Sequence, residues 1–441
     1  MYKKKSVLPA IVFLLASVAY AQTPAMKKVA ESIATEQASL EQLYRYLHEH
    51  PELSVQEEKT SARMAQELKQ LGFGVIEKIG GYGLAGILKN GDGPVVLIRT
   101  DMDALPLEEK TALPYASKAR GINAAGQEVG IMHACGHDLH MSVFIGTARA
   151  LVHARKHWHG TLVMVAQPSE ENGFGAEKMF SNGLYGKIPY PDVALALHNH
   201  ATLPAGSVGY NPGNFMASVD MMNITVRGQG GHGAAPHQTI DPIVLSAQMI
   251  LAFQTIVSRE INPLEPAVIT VGSIHGGTVH NIISDEVKLQ LTLRSYSPAV
   301  RKQIIASIGN KAKHLALQAG LPETKLPEIT INEPRVPATI NDKDLTLKLV
   351  NVFETTFGKD RVSEIPSAMV GEDFSWFALQ QKKVPLCMFW LGTAGAEALK
   401  TSQQTGKPLP SLHAATFAPA VNPSLQTGIT AMSAAALSLL R

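Results

Sequence analysis

The chain has 441 residues, with 39 Lys+Arg against 37 Asp+Glu for a net charge of +2, and 45% hydrophobic, 17% charged and 6% aromatic residues. That length makes two or three folded units and excludes a single small module. The near-neutral charge and the mean hydropathy of +0.04 exclude a disordered chain and a polycation built to hold nucleic acid.

In chain order, residues 1–21 read as an export leader. Lys3, Lys4 and Lys5 precede an apolar run from Val7 to Tyr20, and Ala19-Tyr20-Ala21 forms a small-x-small cleavage site before Gln22. The alternative, a retained anchor, needs roughly 20 apolar residues, and this run is shorter and interrupted by Pro9. Cleavage after Ala21 predicts a periplasmic or secreted protein, and no later stretch reads as a bilayer span. The two cysteines, Cys135 and Cys387, cannot make a disulfide framework. One bridge between them is the alternative to metal ligation by Cys135.

Helical periodicity covers Met26 to Leu71. Apolar runs then alternate with amphipathic stretches, the pattern of βαβ units around a parallel sheet. Val95–Ile98, Thr161–Ala166, Val193–Leu197 and Pro385–Leu391 read as buried strands. Polar clusters follow three of them: Arg99 to Pro106, Gln167 to Asn172, and His198-Asn-His200. Ligands of open α/β sheets collect beyond strand carboxyl ends, so one sheet edge would gather all three.

From 213 to 333 the pattern changes. Ala217–Val226, Ala267–Ser273, Glu286–Ser295 and Lys325–Ile331 read as strands, and Asp241–Ser258 and Pro298–Ala319 as helices. This βαββαβ order predicts a two-layer α+β domain inserted into the catalytic one. The expected organisation is therefore α/β: a discontinuous catalytic domain of residues 22–212 and 334–441 with a central, mostly parallel sheet, and an inserted domain of residues 213–333.

The chemistry concentrates in His133-Ala-Cys135-Gly-His137-Asp-Leu-His140, where an amphipathic helix begins. A helix N-terminus stabilises a thiolate. Thiolate, imidazole and carboxylate suit zinc or another borderline divalent ion, and the donors are Cys135, His137, Glu171, His198 and His413. Five donors exceed the needs of one catalytic zinc and predict two neighbouring cations with Cys135 bridging them; Zn, Mn, Co and Ni all accept such a set. A closed structural zinc would use four ligands and leave no spare carboxylate, whereas Glu170 is spare. Adjacent carboxylates at a buried strand end repel unless a cation or a proton divides their roles. Glu171 is accordingly read as the ligand and Glu170 as general base, then acid; the competing reading is a solvated acidic loop. Asp101 and Asp103 are placed to accept the second N–H of a ligating histidine, although Asp101 could equally cap the turn before Pro106.

These motifs resemble the M20 metallopeptidase family, in its aminoacylase-like amidohydrolase branch that includes hippurate and auxin-conjugate hydrolases. The matching segments are Leu47-His-Glu-His-Pro-Glu-Leu-Ser54, Arg99-Thr-Asp-Met-Asp-Ala-Leu-Pro106, His133 to His140, Pro168-Ser-Glu-Glu171, Leu197-His198, Gly228 to His237, Gly371-Glu-Asp-Phe374 and Leu412-His413. The resemblance implies two metal ions held by the same five donors, with Glu170 as acid/base. It also implies that the inserted domain is a lid and dimerisation domain, that His232 polarises the scissile carbonyl in a partner protomer's site, and that Asn281 and Arg294 bind the substrate carboxylate. The expected function is an exported, binuclear amidohydrolase releasing a carboxylic acid and an amino acid from N-acyl or N-aroyl amino acids. Its expected partners are that small substrate and a second copy of the chain, with no nucleic acid and, after leader cleavage, no membrane. A dipeptidase or carboxypeptidase on the same scaffold and a non-catalytic periplasmic binding module are the alternatives.

Overall fold

A computed structural model describes residues 23–441; the expected leader lies outside the described residues. Its elements run α1 (Pro24–Glu49), α2 (Glu58–Gln70), β1 (Gly74–Ile79), β2 (Gly83–Asn90), β3 (Val95–Asp101), α3 (His137–His153), β4 (Gly160–Gln167), β5 (Val193–Pro204) and β6 (Val208–Tyr210). There follow β7 (Ser218–Arg227), α4 (Pro242–Thr255), β8 (Ala267–Gly276), β9 (Glu286–Ser295), α5 (Pro298–Gln318) and β10 (Glu328–Val336). The chain ends with α6 (Lys343–Phe357), β11 (Val362–Glu364), β12 (Leu386–Ala394), α7 (Ala396–Thr405) and α8 (Val421–Leu439).

The helical periodicity expected from Met26 to Leu71 is two helices. Thr23 caps α1 by accepting the Met26 N–H at 3.3 Å, and Pro24 supplies the first turn. Pro51 bars helical backbone at His50, and Val55 sits at φ +65°, so the chain turns before α2 although the apolar spacing continues.

The chain divides into two compact units. The first comprises residues 23–213, 341–366 and 376–441, and the second residues 214–340 and 367–375. The first is built on an eight-stranded sheet of order β1-β2-β4-β3-β5-β12-β6-β11. Its centre, β4-β3-β5-β12, is parallel throughout, and the antiparallel pairs lie towards the edges. Every residue of β4 and β12 is buried, which explains why they appear in the sequence as unbroken apolar runs. Helix α3 is buried along nearly its whole length, and α8 packs on α3, β12 and α1. Strand β5 continues past the expected Leu197 because His198, Asn199 and His200 pair with Trp390, Leu391 and Gly392 of β12. Cys387 lies inside β12, and both cysteines are buried and outside any disulfide, so there is no bridge between them.

The second unit is a four-stranded antiparallel sheet of order β8-β9-β7-β10. Alternate residues of β9 (Val287, Leu289, Leu291 and Leu293) pack against Leu245, Met249 and Phe253 of α4 and Ile304 and Ile308 of α5. The insertion ends near Ile340 rather than at residue 333, because β10 runs to Val336 and Thr339 pairs with Met216. Residues 367–375 also join this unit: Ala217 N–H donates to Ala368 O at 3.1 Å, and Ala368 N–H to Phe215 O at 3.0 Å. Among the described residues, the segment Pro242–Glu260 is long and apolar enough to cross a membrane, contrary to the reading that no later stretch is. Here it covers one face of the antiparallel sheet with Leu245, Met249, Phe253 and Ile256.

A buried charge cluster ties α1 to the start of α3. His48 Nδ1 lies 2.7 Å from Asp138 Oδ2 and its Nε2 3.1 Å from Glu109 Oε1, all three side chains being essentially inaccessible. Burial alone would lower the His48 pKa, but the two carboxylates override it and raise the imidazole to about 10. A raised folded-state pKa means that this stabilisation is complete below the ordinary histidine value and lost as pH climbs through about 10. His48→Leu should destabilise the chain by about 3–5 kcal/mol, because it leaves two carboxylates buried without their cation. Urea melts at pH 6, 8 and 10 should show the wild-type advantage shrinking at the highest pH; a gap that widens with pH would exclude a protonated His48.

Candidate metal centre

The donors expected from the sequence are brought to the carboxyl edge of the first unit's sheet by local rules. Gly136 is the N-cap of α3 at φ +80°, and a Cβ there would lie 1.9 Å from Asn199 Nδ2. Only glycine permits that approach. The Asn199 amide uses the space to donate to Gly136 O at 3.0 Å and Cys135 O at 3.3 Å. Cys135 and His137 thereby sit side by side at the helix entrance.

Cys135 Sγ lies 3.5 Å from His198 Nε2. His137 Nε2 is 3.8 Å from Glu171 Oε1 and 4.0 Å from Glu170 Oε2, and His413 Nε2 is 3.5 Å from Glu171 Oε1. Cys135, His137 and His198 form one group whose donor atoms all lie within 4.8 Å of one another; Cys135, Glu171 and His413 form a second, and His137, Glu170 and Glu171 a third. All five expected donors are therefore close together, Cys135 belongs to two of the groups, and Glu170 stands beside them. His413 is at the rim, with its side chain 52% exposed, on backbone held at φ +63° by its N–H bond to Ala134 O at 2.9 Å.

The ligating histidines turn their Nε2 atoms toward this space. His137 Nδ1–H donates to Asp103 O at 2.8 Å and His198 Nδ1–H to Asn199 O at 2.9 Å, leaving both Nε2 atoms facing inward. His137 Nε2 and Glu171 Oε1 are buried without hydrogen-bond partners, the condition in which a cation compensates for desolvation. The electrostatics agree. Burial, Asp103 and Asp101 raise the Glu171 carboxyl to about 8 against the pull of His137. Burial depresses His137, but Asp101, Asp103 and Glu171 raise it to about 10. The site thus collects protons where positive charge is wanted. Burial and the neighbouring His140 hold His198 well below the ordinary imidazole range, neutral and able to ligate. Thiolate, imidazole and carboxylate donors of this spacing fit borderline divalent ions.

The two aspartates differ in detail from the expectation. It is the main-chain oxygen of Asp103 that takes the His137 N–H, while its carboxylate accepts the amides of Glu170 at 3.0 Å and Glu171 at 2.9 Å and the Ser54 hydroxyl at 2.6 Å. Asp101 fixes the tautomer of His140, not of a ligand: Oδ1 accepts from His140 Nδ1 at 2.7 Å, and His140 Nε2 accepts the Asn199 N–H at 3.0 Å. With both nitrogens engaged, His140 buttresses the site. Arg99 compensates Asp101 at 2.7 Å and reaches Gln167 at 2.9 Å. Donor spacing alone does not mark Asn199, His140, Ser54 and Arg99 as supports; the imidazole three residues after His137 and the Arg-x-Asp pattern are the signals the sequence carries.

The remaining expected residues belong to the second unit. His232 pairs with Ile282, and Gly233 N–H donates to Asn281 O at 2.9 Å, so His232 and Asn281 lie at one short antiparallel two-stranded pairing. The His232 Nδ1 accepts the Ala234 N–H at 3.0 Å. Arg294, on β9, is half-buried and donates to Met369 O at 3.0 Å.

Comparison with known proteins agrees with this chemistry. The chain is 34% identical over 369 residues to an N-acetyl-L-cysteine deacetylase of Bacillus subtilis, covering 82% of each chain. It is 33% identical to the IAA-amino acid hydrolase ILR1-like 2 of Arabidopsis thaliana, over 76% of this chain and 73% of that one. The structure of a dinuclear metal binding peptidase of Bacillus subtilis superposes with a TM-score of 0.73 at 28% identity, over 92% of this chain and 99% of that one. Residues 97–415 match peptidase family M20/M25/M40, and with donors of this kind on this fold the chain belongs to that family of hydrolases.

Proposed function

We propose that the chain is an exported amidohydrolase that binds two divalent cations and cleaves the amide of N-acyl or N-aroyl amino acids. The observation that supports it most is the clustering of Cys135, His137, Glu171, His198 and His413 with Glu170 beside them. Cations held by these donors would polarise the amide carbonyl and lower the pKa of water at the site. Glu170 takes the proton from the attacking water as its oxygen bonds to the carbonyl carbon, then delivers it to the nitrogen as the C–N bond breaks. One carboxylic acid and one free amine result. Asp103 orients this step by holding the Glu170 and Glu171 amides. Zinc fits the mixed sulfur, nitrogen and oxygen donors, and manganese, cobalt or nickel would also be accepted.

His232, Asn281 and Arg294 are assigned on the family resemblance. His232 donates to the developing oxyanion in a partner protomer's site, and Asn281 and Arg294 hold the substrate carboxylate. In support of a dimer, α4 exposes Ile243, Val244 and Leu251, the last at 72%, apolar side chains that a second copy would cover. Export rests on the leader at residues 1–21.

Hydrolysis of a panel of N-acetyl and N-benzoyl amino acids and dipeptides tests the reading. Acyl amino acids should turn over and dipeptides with a free α-amine should not; the reverse preference would make the chain a dipeptidase. Arg294→Ala should raise KM for substrates bearing a free carboxylate by about 10–100-fold, the value of a charge-assisted hydrogen bond, and leave carboxamide-capped analogues unaffected. Equal losses on both would remove that role.

A further inference from the structure

Glu57 is a buried carboxylate for which the mechanism above has no use. It stands at the N-cap of α2 but makes no side-chain cap bond. Its Oε1 reaches instead across 112 residues of sequence to Ser169, accepting the backbone N–H at 2.7 Å and the hydroxyl at 3.0 Å. The Ser169 hydroxyl oxygen in turn accepts the Val55 N–H at 2.9 Å. Ser169 lies at φ +57° and Val55 at φ +65°, backbone that residues other than glycine hold only when their surroundings over-determine it.

The next two amides along the chain, those of Glu170 and Glu171, go to Asp103. Three successive N–H groups are therefore fixed by two buried carboxylates, and these three residues end in the carboxylate pair of the candidate metal centre. On its other side the turn borders an open cavity of about 520 Å³ lined by Val55, Glu57, Tyr82, Pro168, Ser169 and Lys178. Glu57 and Ser169 are nonetheless buried, so their hydrogen bonds to one another are shielded from water and help to hold the turn's shape.

We propose that Glu57 is a positioning residue that acts through Ser169 to aim the Glu170 and Glu171 carboxylates. The inference rests on the roles given to those two glutamates above. Asp103 restrains only the amides after Ser169, and Gly175 N–H holds the Ser169 carbonyl at 3.1 Å, so the N–H of the left-handed residue itself is fixed by Glu57. Burial and Asp103 raise Glu57 to about 7; the two Ser169 donors meet the single oxygen Oε1, and an amide oxygen in its place would accept the same bonds.

That distinction sets the test. Wild type, Glu57→Ala, Glu57→Gln and Ser169→Ala are compared by zinc competition with a chromophoric chelator, by amide hydrogen exchange at residues 169–171 and by kcat and KM on an N-acetyl amino acid. Glu57→Ala should lose protection at 169–171, bind zinc about 10–100-fold more weakly and lose a similar factor in kcat per zinc-loaded site, the usual effect of removing a group that orients a ligand. Glu57→Gln keeps an acceptor oxygen and should recover most of both. Ser169→Ala, which keeps the backbone bond and loses the hydroxyl, should fall between and serves if Glu57→Ala does not fold. Wild-type zinc affinity and kcat in Glu57→Ala, with only its melting temperature lowered, would overturn the inference; so would a Glu57→Gln as impaired as the alanine. If the wild type hydrolysed none of the substrates, the functional reading would fail while zinc affinity and exchange still decided the role of Glu57.

Discussion

Exhaustive chelation is expected to abolish hydrolysis, with activity returning as divalent cation is added and levelling at two equivalents per chain. The reason lies in what the donors do without a cation. Glu171, raised to about 8, and His137, raised to about 10, hold protons at neutral pH. Both protons must leave before the two groups can ligate, so cation binding should release protons and tighten as pH rises. Calorimetry of the chelated protein in buffers of different ionisation enthalpy measures that release directly. Turnover that survives chelation, or reconstitution that levels at one equivalent, would contradict a binuclear site. A level at one equivalent with full activity would favour a single cation with Glu170 still beside it.

The sheet was legible in the sequence because its central strands are buried on both faces. Val95–Ile98, Thr161–Ala166 and Val193–Leu197 could hardly be anything but strands of a parallel sheet. The alternation along β9 made the antiparallel unit equally visible. Two things were not legible. The return of residues 367–375 to the second unit depends on backbone pairing between Ala217 and Ala368, which leaves no mark on composition. The break between α1 and α2 is set by Pro51 and by a left-handed Val55, against an apolar period that continues through it.

In the site the donors stood out by chemical type, since thiol, imidazole and carboxylate clusters are uncommon at strand ends. Their supports did not. Whether a carboxylate or a main-chain oxygen of Asp103 meets His137 is decided over less than 1 Å, 2.8 against 3.5 Å, and no spacing rule resolves that. Asn199, Ser54 and Glu57 look like ordinary polar residues, and each acquires its part only through contacts 49 to 112 residues distant in sequence.

Glu170→Gln is expected to lower kcat by about 10²–10⁴-fold, the contribution of a positioned general base and acid, while two equivalents of cation remain bound. The substitution keeps the size of the side chain and an acceptor oxygen but removes the ability to take a proton. It therefore separates proton transfer from everything else in the site: the Glu170 amide still donates to Asp103, and Cys135, His137, Glu171, His198 and His413 are untouched. KM should move little, because the lost interaction belongs to the transition state. The acid limb of the pH–rate profile, where protonation of the base removes activity, should vanish from whatever rate remains. A binding module would have no need of Glu170 and would show the same ligand affinity in both proteins with no turnover in either. Full turnover in Glu170→Gln with cations in place would instead move the proton-transfer role to another side chain. The nearest carboxylate is then Glu171, 3.8 Å from His137, and its conversion to Gln should cost cation affinity as well as rate, a pairing that a base which does not ligate the cations cannot produce.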